Sequence, residues 1–215
     1  MHYDDVDLTR YYASSAVGIR HRYTRIFDFL ETMVSPARFI DIGAGMGYSL
    51  EVAQTRGWTA AGIEPNASLV RSARERGLAV TQGYLDEHAS GQYELVVIDN
   101  VLEHVPQPQD FLVNAARLLA PGGLMVVAIP PLDWIRSALG SLRVVRERVH
   151  VPQINVFDEV DEHVNVMGRR AMRKLVAAVG LKLESTRFHH SPLFRNPIAR
   201  ALAVDDGYYF IRAAT

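Results

Sequence analysis

Three acids stand where three apolar runs stop. Asp41 ends Phe39-Ile40-Asp41, Glu64 follows Ala60-Ala61-Gly62-Ile63, and Asp99 follows Leu95-Val96-Val97-Ile98. Between the first two, Gly43, Gly45 and Gly47 space out the segment Asp41-Ile42-Gly43-Ala44-Gly45-Met46-Gly47-Tyr48. A glycine turn lets a ligand approach the backbone closely and admits positive φ. A helix that opens directly from such a turn points its first N–H groups at whatever sits there. Strand, acid, glycine turn and helix together describe a cofactor site, and the neighbouring residues must select the cofactor.

Two cofactors suit such a turn, a dinucleotide and S-adenosylmethionine. Nicotinamide and flavin folds use G-x-G-x-x-G, whose third glycine allows close helix–strand packing. That position is Tyr48 here, and the third glycine comes one residue early, at Gly47. Asp41 would repel a pyrophosphate. S-adenosylmethionine has no phosphate; it carries an ammonium, a sulfonium, a carboxylate and a ribose diol, so an acid beside the turn favours it.

The elements that must position these residues alternate along the chain. Apolar Ile26, Phe27, Leu30, Met33 and Val34 recur at helical spacing within 19–34, after a polar and aromatic stretch over 1–16 with no clear period. Strands are predicted over 38–42, 59–63, 78–82, 93–99, 124–129, 181–188 and 207–213, with Pro121-Gly122-Gly123 as a turn. Helices are predicted over 46–56, from the N-cap Asn66 to Gly77, over 108–119, 134–149 and 169–179. Strands separated by helices of this length predict an α/β, doubly wound, mostly parallel seven-stranded Rossmann-like sheet with helices on both faces and a small helical lid. In that architecture ligands bind outside the carboxyl ends of the strands, where the three acids fall.

Composition narrows the classes. The chain has 215 residues, 48% of them apolar and 22% charged, with a formal net charge of −1. That charge gives no global reason to bind nucleic acid or an anionic membrane. The absence of cysteine excludes disulfides and thiolate metal sites, and no metal site is expected. No apolar run approaches the roughly 20 residues of a membrane span, and the acidic start Tyr3-Asp4-Asp5 is unlike a secretory signal. A soluble cytoplasmic protein is the expectation.

Five segments in a fixed order, Asp41 to Gly47, Gly62-Ile63-Glu64-Pro65, Tyr93 to Asp99, Val101-Leu102-Glu103-His104-Val105 and Leu119-Ala120-Pro121-Gly122-Gly123, resemble the class I S-adenosylmethionine-dependent methyltransferases, in particular their small-molecule type with an L-E-H motif. Glu162-His163-Val164-Asn165 before a helix ending at Gly180 is similar to a later region of that family. The resemblance implies a single domain over 1–215, with 1–34 as an N-terminal helical cap and 131–166 as a lid insertion. It implies that Asp41 and the backbone of Gly43 and Gly45 hold the methionine part, and that Glu64, followed by Pro65, takes both ribose hydroxyls. Tyr84 and Leu85 fall where the family contacts adenine; Gly83-Tyr84 stands where many members have glycine then aspartate, so Asp86 is the substitute. Asn100 would lie beside the methionine and the transferable methyl, and Asp99, with Glu103 and His104 opening the next helix, would complete the cofactor-binding residues.

His104 and His163 are the candidate catalytic bases, and an orienting or packing role is the competing reading of each. Asp99-Asn100-Val101-Leu102 stands where enzymes acting on exocyclic amines of DNA bases carry Asn/Asp-Pro-Pro-Tyr. The acceptor is therefore expected to be a small molecule. Tyr11, Tyr12, Arg20, His21 and Tyr23 could line one side of its pocket. Arg136, Arg143, Arg146 and Arg148 make 134–149 basic, which fits either an anionic acceptor or a solvated helix face. An exposed lid helix could also pair two copies as a homodimer. The alternatives are a nicotinamide-dependent oxidoreductase, opposed by Tyr48 and Asp41, and a catalytically silent methyltransferase-like binding or regulatory subunit.

Overall fold

The apolar runs that end in acid form the centre of one sheet. The computed structural model describes residues 3–88, 90–129, 169–189 and 206–213. Its strands are β1 (Arg38–Ile42), β2 (Thr59–Glu64), β3 (Val80–Gln82), β4 (Tyr93–Asp99), β5 (Leu119–Ile129), β6 (Leu181–His189) and β7 (Asp206–Ala213), in the order β3-β2-β1-β4-β5-β7-β6. The first five are parallel. β7 runs antiparallel to both β5 and β6, so the sheet is mixed at one edge. The strand order reverses between β1 and β4, which places the crevice of a doubly wound sheet outside the ends carrying Asp41 and Asp99.

Both faces of the sheet are covered, which explains why its strands are apolar throughout. Alternate side chains, such as Phe39, Leu95, Val97, Leu124 and Val126, share one buried cluster with Tyr23, Phe27 and Leu30 of α1 (Thr9–Leu30), Leu50 and Ala53 of α2 (Tyr48–Thr55), and Val70 and Ala73 of α3 (Ala67–Glu75). The intervening Ile40, Ile42, Val96 and Ile98 pack with Leu112 and Ala115 of α4 (Pro108–Ala116) and Met172 and Val176 of α5 (Arg169–Ala178). A third, smaller cluster joins Leu8, Tyr12 and Ala16 to Met46, Tyr48 and Leu69 above the glycine turn.

Helix α1 differs from its sequence expectation at both ends. It begins at Thr9 rather than near 19, because Tyr12, Ala16, Ile19, Tyr23, Phe27 and Leu30 form one continuous stripe spaced three or four apart. An aromatic and an alanine at the front of that stripe hid it from a search for aliphatic residues. Asp7 supports the first turn by accepting from the Thr9 amide and hydroxyl. The helix stops at Leu30, and Met33 and Val34 reach the core from the turn that follows. Arg56 bridges to Asp28 and Glu31, and the Trp58 indole donates to Glu31, which fixes this end of α1 beside α2.

Three smaller differences have local causes. α4 ends at Ala116, and the expected turn at 121–123 lies within β5, whose pairing with β4 jumps from Tyr93↔Leu119 to Leu95↔Leu124. The glycine pair thus makes an irregularity in a longer strand. β3 is only three residues long, an edge strand paired to β2 alone. Leu102, Glu103 and His104 form their own 3-10 turn, separate from α4, instead of its first turn. The predicted helix at 134–149, with Arg136, Arg143, Arg146 and Arg148, and the candidate His163 lie outside the described residues.

Phe27 stacks edge-on against Phe39 at 5.3 Å between ring centroids and is 1% exposed. Phe27→Ala is expected to lower the unfolding free energy by about 3–5 kcal/mol. Val17 on the same helix is 82% exposed, and Val17→Ala should change it by less than about 0.5 kcal/mol. Urea unfolding of both variants checks this; equal losses would contradict the way α1 is seated.

Candidate functional site

Asp41 ends one residue short of the turn, and its backbone pairs in register with Gly62 of β2 and Val97 of β4. The turn that follows is built from positive-φ glycines: Gly43 at 84°, Gly45 at 54° and Gly47 at 77°. Gly47 serves as the N-cap of α2, and a Cβ there would meet Leu78 Cδ1 at 2.7 Å, so the residue also allows α2 to lie close to the end of α3. A Cβ on Gly45 would touch the ring of Tyr12 at 3.5 Å. Tyr12 therefore lies directly over the turn.

Four of the five N–H groups of the turn 43–47 are already engaged. Gly43 and Ala44 donate to the Ile63 carbonyl at 2.8 and 3.0 Å, and Gly47 donates to the Ala44 carbonyl at 2.7 Å. Gly45 donates to Glu64 Oε2 at 2.8 Å. β2 supplies the acceptors for Gly43, Ala44 and Gly45, and the turn closes on itself at Gly47. What these four positions offer a ligand is therefore the carboxylates beside them, Glu64 and Asp41.

Glu64 is 1% exposed at the end of β2, and its other oxygen, Oε1, accepts from the Asn66 amide at 2.9 Å. A carboxylate oxygen has two lone-pair sites, so each of these oxygens keeps one for a further donor. Asn66 caps α3, as predicted, by accepting from Ser68 and Leu69 at 3.0 and 3.1 Å. Burial raises the Glu64 carboxyl above its ordinary range, and the backbone donors oppose that shift.

Asp41 is also 1% exposed. Its Oδ2 accepts a short hydrogen bond from Ser49 of α2, while Oδ1 is buried and has no partner among the described residues. Burial pushes this carboxyl up to about 7; Asp99 and Glu64 add to the shift, and Ser49 and Arg22 oppose it. A buried acceptor left unmatched costs roughly 1–3 kcal/mol. Such an atom is suited to a ligand that brings a positive charge or a donor.

Asp99 is held by a clamp. Arg22 of α1 donates to both of its oxygens, at 3.1 and 2.6 Å, and the Tyr23 hydroxyl donates to Oδ2 at 2.7 Å. Arg22 also reaches the Tyr208 hydroxyl of β7 at 3.4 Å. Burial works against the charge on Arg22, but Asp99 beside it keeps it protonated well above its ordinary value. Of the three strand-end carboxylates, Asp99 is the one that this guanidinium contacts.

The other predicted residues lie around this centre. Asn100 follows β4 at φ 54°, in the left-handed region that asparagine tolerates better than most residues. Glu103 is fully buried, and His104 is partly exposed beside it, with Nε2 4.0 Å from Glu103 Oε1. Pro65 separates Glu64 from the cap of α3. In the loop after β3, Leu85 packs against the core, Tyr84 is 63% exposed with its hydroxyl on Asp4 at 2.6 Å, and Asp86 accepts from the His88 amide at 2.9 Å. Asp41, Gly43, Gly45, Glu64 and Asp99 are brought together; Tyr84 and Asp86 stand at the rim. Of the pocket-lining candidates, Tyr12 and Tyr23 enter the site, whereas Arg20 turns away to Glu51 and stacks over Tyr48. His21 is exposed. Among the described residues no group of three or more His, Asp or Glu could hold a metal ion.

Sequence reasoning missed Arg22 and Ser49. Ser49 carried a usable signal, since its place early in the helix after the turn points it back at the strand end. Arg22 had none, because its partner is distant along the chain.

A family model described as "Methyltransferase domain" matches residues 18–186. A ubiquinone biosynthesis O-methyltransferase of Caulobacter sp. (strain K31) is 35% identical over 121 residues, covering 52% of this chain and 47% of the relative. One of the same name from Erwinia tasmaniensis is 28% identical over 186 residues, covering 80% of this chain and 72% of the relative. The chain spans about half the length of several of the curated relatives it matches. Among solved structures, magnesium protoporphyrin IX methyltransferase of Synechocystis PCC 6803 with bound SAH has the same fold, with a TM-score of 0.64 at 14% identity over 92% of this chain and 84% of that one.

Asp41 gives the site a pH signature. Its folded carboxyl titrates at about 7 against an ordinary 3.8. The stability it contributes is fully present below the unfolded value and is lost as pH rises through the folded one. Without added ligand, the melting temperature of the wild type should therefore fall relative to that of Asp41→Asn between about pH 4 and 7. Parallel melting profiles of the two proteins across that range would contradict the burial of an unmatched carboxyl.

Proposed function

The chain belongs to the methyltransferase-domain family, and we propose that it transfers a methyl group from S-adenosylmethionine to an oxygen of a small-molecule acceptor. The observation that carries this reading is the unmatched, buried Oδ1 of Asp41 beside a turn whose three glycine amides and Ala44 amide are already engaged. That combination suits a cationic, phosphate-free cofactor and disfavours a dinucleotide. The oxygen acceptor is supported by the curated relatives, which are named as O-methyltransferases.

When bound, S-adenosylmethionine supplies a methyl group on a sulfonium, an electrophile that needs no activation by metal. The protein's work is alignment and exclusion of water, worth up to roughly 7–11 kcal/mol in favourable cases. Asp41, ionised by the approach of an ammonium, holds the methionine end together with the carbonyl side of the turn at Gly43 and Gly45. Glu64 accepts the ribose hydroxyls with the lone-pair sites its backbone donors leave open. Tyr84, Leu85 and Asp86 border the adenine end. The Arg22 and Tyr23 clamp fixes Asp99 beneath Asn100, so the strand end cannot swing into the path of the acceptor. A hydroxyl becomes a competent nucleophile once it loses its proton, and His104, oriented by Glu103, is the candidate base; His163 is the other. The arginines over 136–148 support an acceptor bearing a carboxylate or phosphate.

Incubation with methyl-labelled S-adenosylmethionine and a panel of phenols, alcohols and amines tests the reading. Label is expected on an oxygen acceptor. Glu64→Ala should raise KM for the methyl donor roughly a hundredfold through loss of charge-assisted hydrogen bonds, with the circular dichroism spectrum retained. His104→Ala should lower kcat at unchanged donor KM. Unchanged donor KM in Glu64→Ala would contradict the ribose assignment, and label only on amines would contradict the acceptor class.

A further inference from the structure

The carbonyls of the glycine turn divide into those the protein uses and those it leaves to a ligand. Ala44 accepts from the Gly47 amide at 2.7 Å, and Gly47 accepts from the Glu51 amide at 3.1 Å. Met46 accepts from Nη2 of Arg76, the C-cap residue of α3. Among the described residues, the carbonyls of Gly43 and Gly45 accept no hydrogen bond. Arg76 thus fills an acceptor of the turn from outside it. Its reach depends on Gly47, whose missing Cβ lets α2 lie against Leu78 just beyond α3.

Arg76 is aimed by its surroundings. Its Nη1 pairs with Glu51 Oε1 and its Nε donates to the Ser72 carbonyl at 3.2 Å, so the planar fork is held at three points. Its guanidinium stands 5.0 Å from the ring centroid of Tyr48, and that of Arg20 from α1 stands 4.3 Å from the same ring. Both distances allow a cation–π attraction. Glu51 also takes Arg20, whose Nε donates to Oε2 at 2.8 Å. One carboxylate and one ring collect two arginines, and of the two Arg76 alone hydrogen-bonds the turn.

We propose that Arg76 is a positioning residue for the methyl donor: its hold on the Met46 carbonyl fixes the turn in the shape that leaves the Gly43 and Gly45 carbonyls, with Asp41, for the cationic end of the ligand. This inference rests on the reading of the turn as the methyl-donor site. Gly45 and Gly47 flank Met46, both at positive φ, and glycine imposes little backbone preference of its own. Without Arg76, the Met46–Gly47 peptide is restrained by the bond from the Gly47 amide to Ala44. A turn made permissive by its glycines is held to one shape by a side chain 30 residues further along.

Arg76→Met keeps an apolar stem and removes the fork. Arg20→Met removes the matching pair with Glu51 and the matching contact with Tyr48, and leaves the Met46 carbonyl untouched. Both variants should therefore melt below wild type, and ligand affinity separates them. In titration calorimetry with S-adenosylhomocysteine, the demethylated product, Arg76→Met is expected to bind about tenfold more weakly than wild type, the loss of one charge-assisted hydrogen bond. Arg20→Met should bind within about twofold of wild type, since it keeps that bond. Wild-type affinity in Arg76→Met, or an equal loss in Arg20→Met, would overturn the inference while leaving the methyl-donor site in place. Should Arg76→Met not fold, Arg76→Lys decides, because an ammonium keeps a donor but not the planar fork: binding about threefold weaker than wild type supports the inference, and wild-type affinity overturns it. Absence of binding by the wild-type protein would overturn the methyl-donor assignment, and the positioning role with it.

Discussion

Packing three carboxylates, Asp41, Glu64 and Asp99, against one end of a parallel sheet, with the Arg22 guanidinium on Asp99, is the constraint to which the rest of the structure answers. Parallel register puts Asp41 one strand away from both Glu64 and Asp99, and burial denies them water. Each is handled differently. Asp99 receives Arg22 and Tyr23 from α1. Glu64 receives two backbone amides. Among the described residues Asp41 receives Ser49 alone, and its burial is met by a carboxyl pushed up to about 7. The length and seating of α1 follow from this, since one helix must carry Tyr12 over the glycine turn and Arg22 and Tyr23 over Asp99.

The same arrangement explains the choice of ligand chemistry. Helix N-termini ordinarily attract anions through unpaired amides. Here the Ile63 carbonyl and Glu64 take up the amides of Gly43, Ala44 and Gly45 in the turn before the helix, so the turn itself presents acceptors. A methyl donor carrying a sulfonium and an ammonium is matched by that surface, and a pyrophosphate is not. The family assignment and the electrostatics of the turn therefore agree while resting on separate observations.

Much of this was legible in the chain. The acids at strand ends, the turn, the cap at Asn66 and the seven strands follow from periodicity and from residue types that act locally. What was hidden depended on distant partners. The fate of the Gly43 and Ala44 amides is decided by a carbonyl on the neighbouring strand, and Arg22 reports nothing until β4 is placed 77 residues away. The start of α1 was missed because its stripe opens with tyrosine and alanine, and the turn at 121–123 because a strand can absorb a glycine pair as an irregularity.

The central claim is that carboxylates at this glycine turn select a cationic methyl donor over a dinucleotide. Parallel calorimetric titrations of the protein with S-adenosylhomocysteine and with NAD at neutral pH test it most directly. Saturable binding of S-adenosylhomocysteine with no binding of NAD is the predicted result, and binding of NAD without S-adenosylhomocysteine would contradict the account.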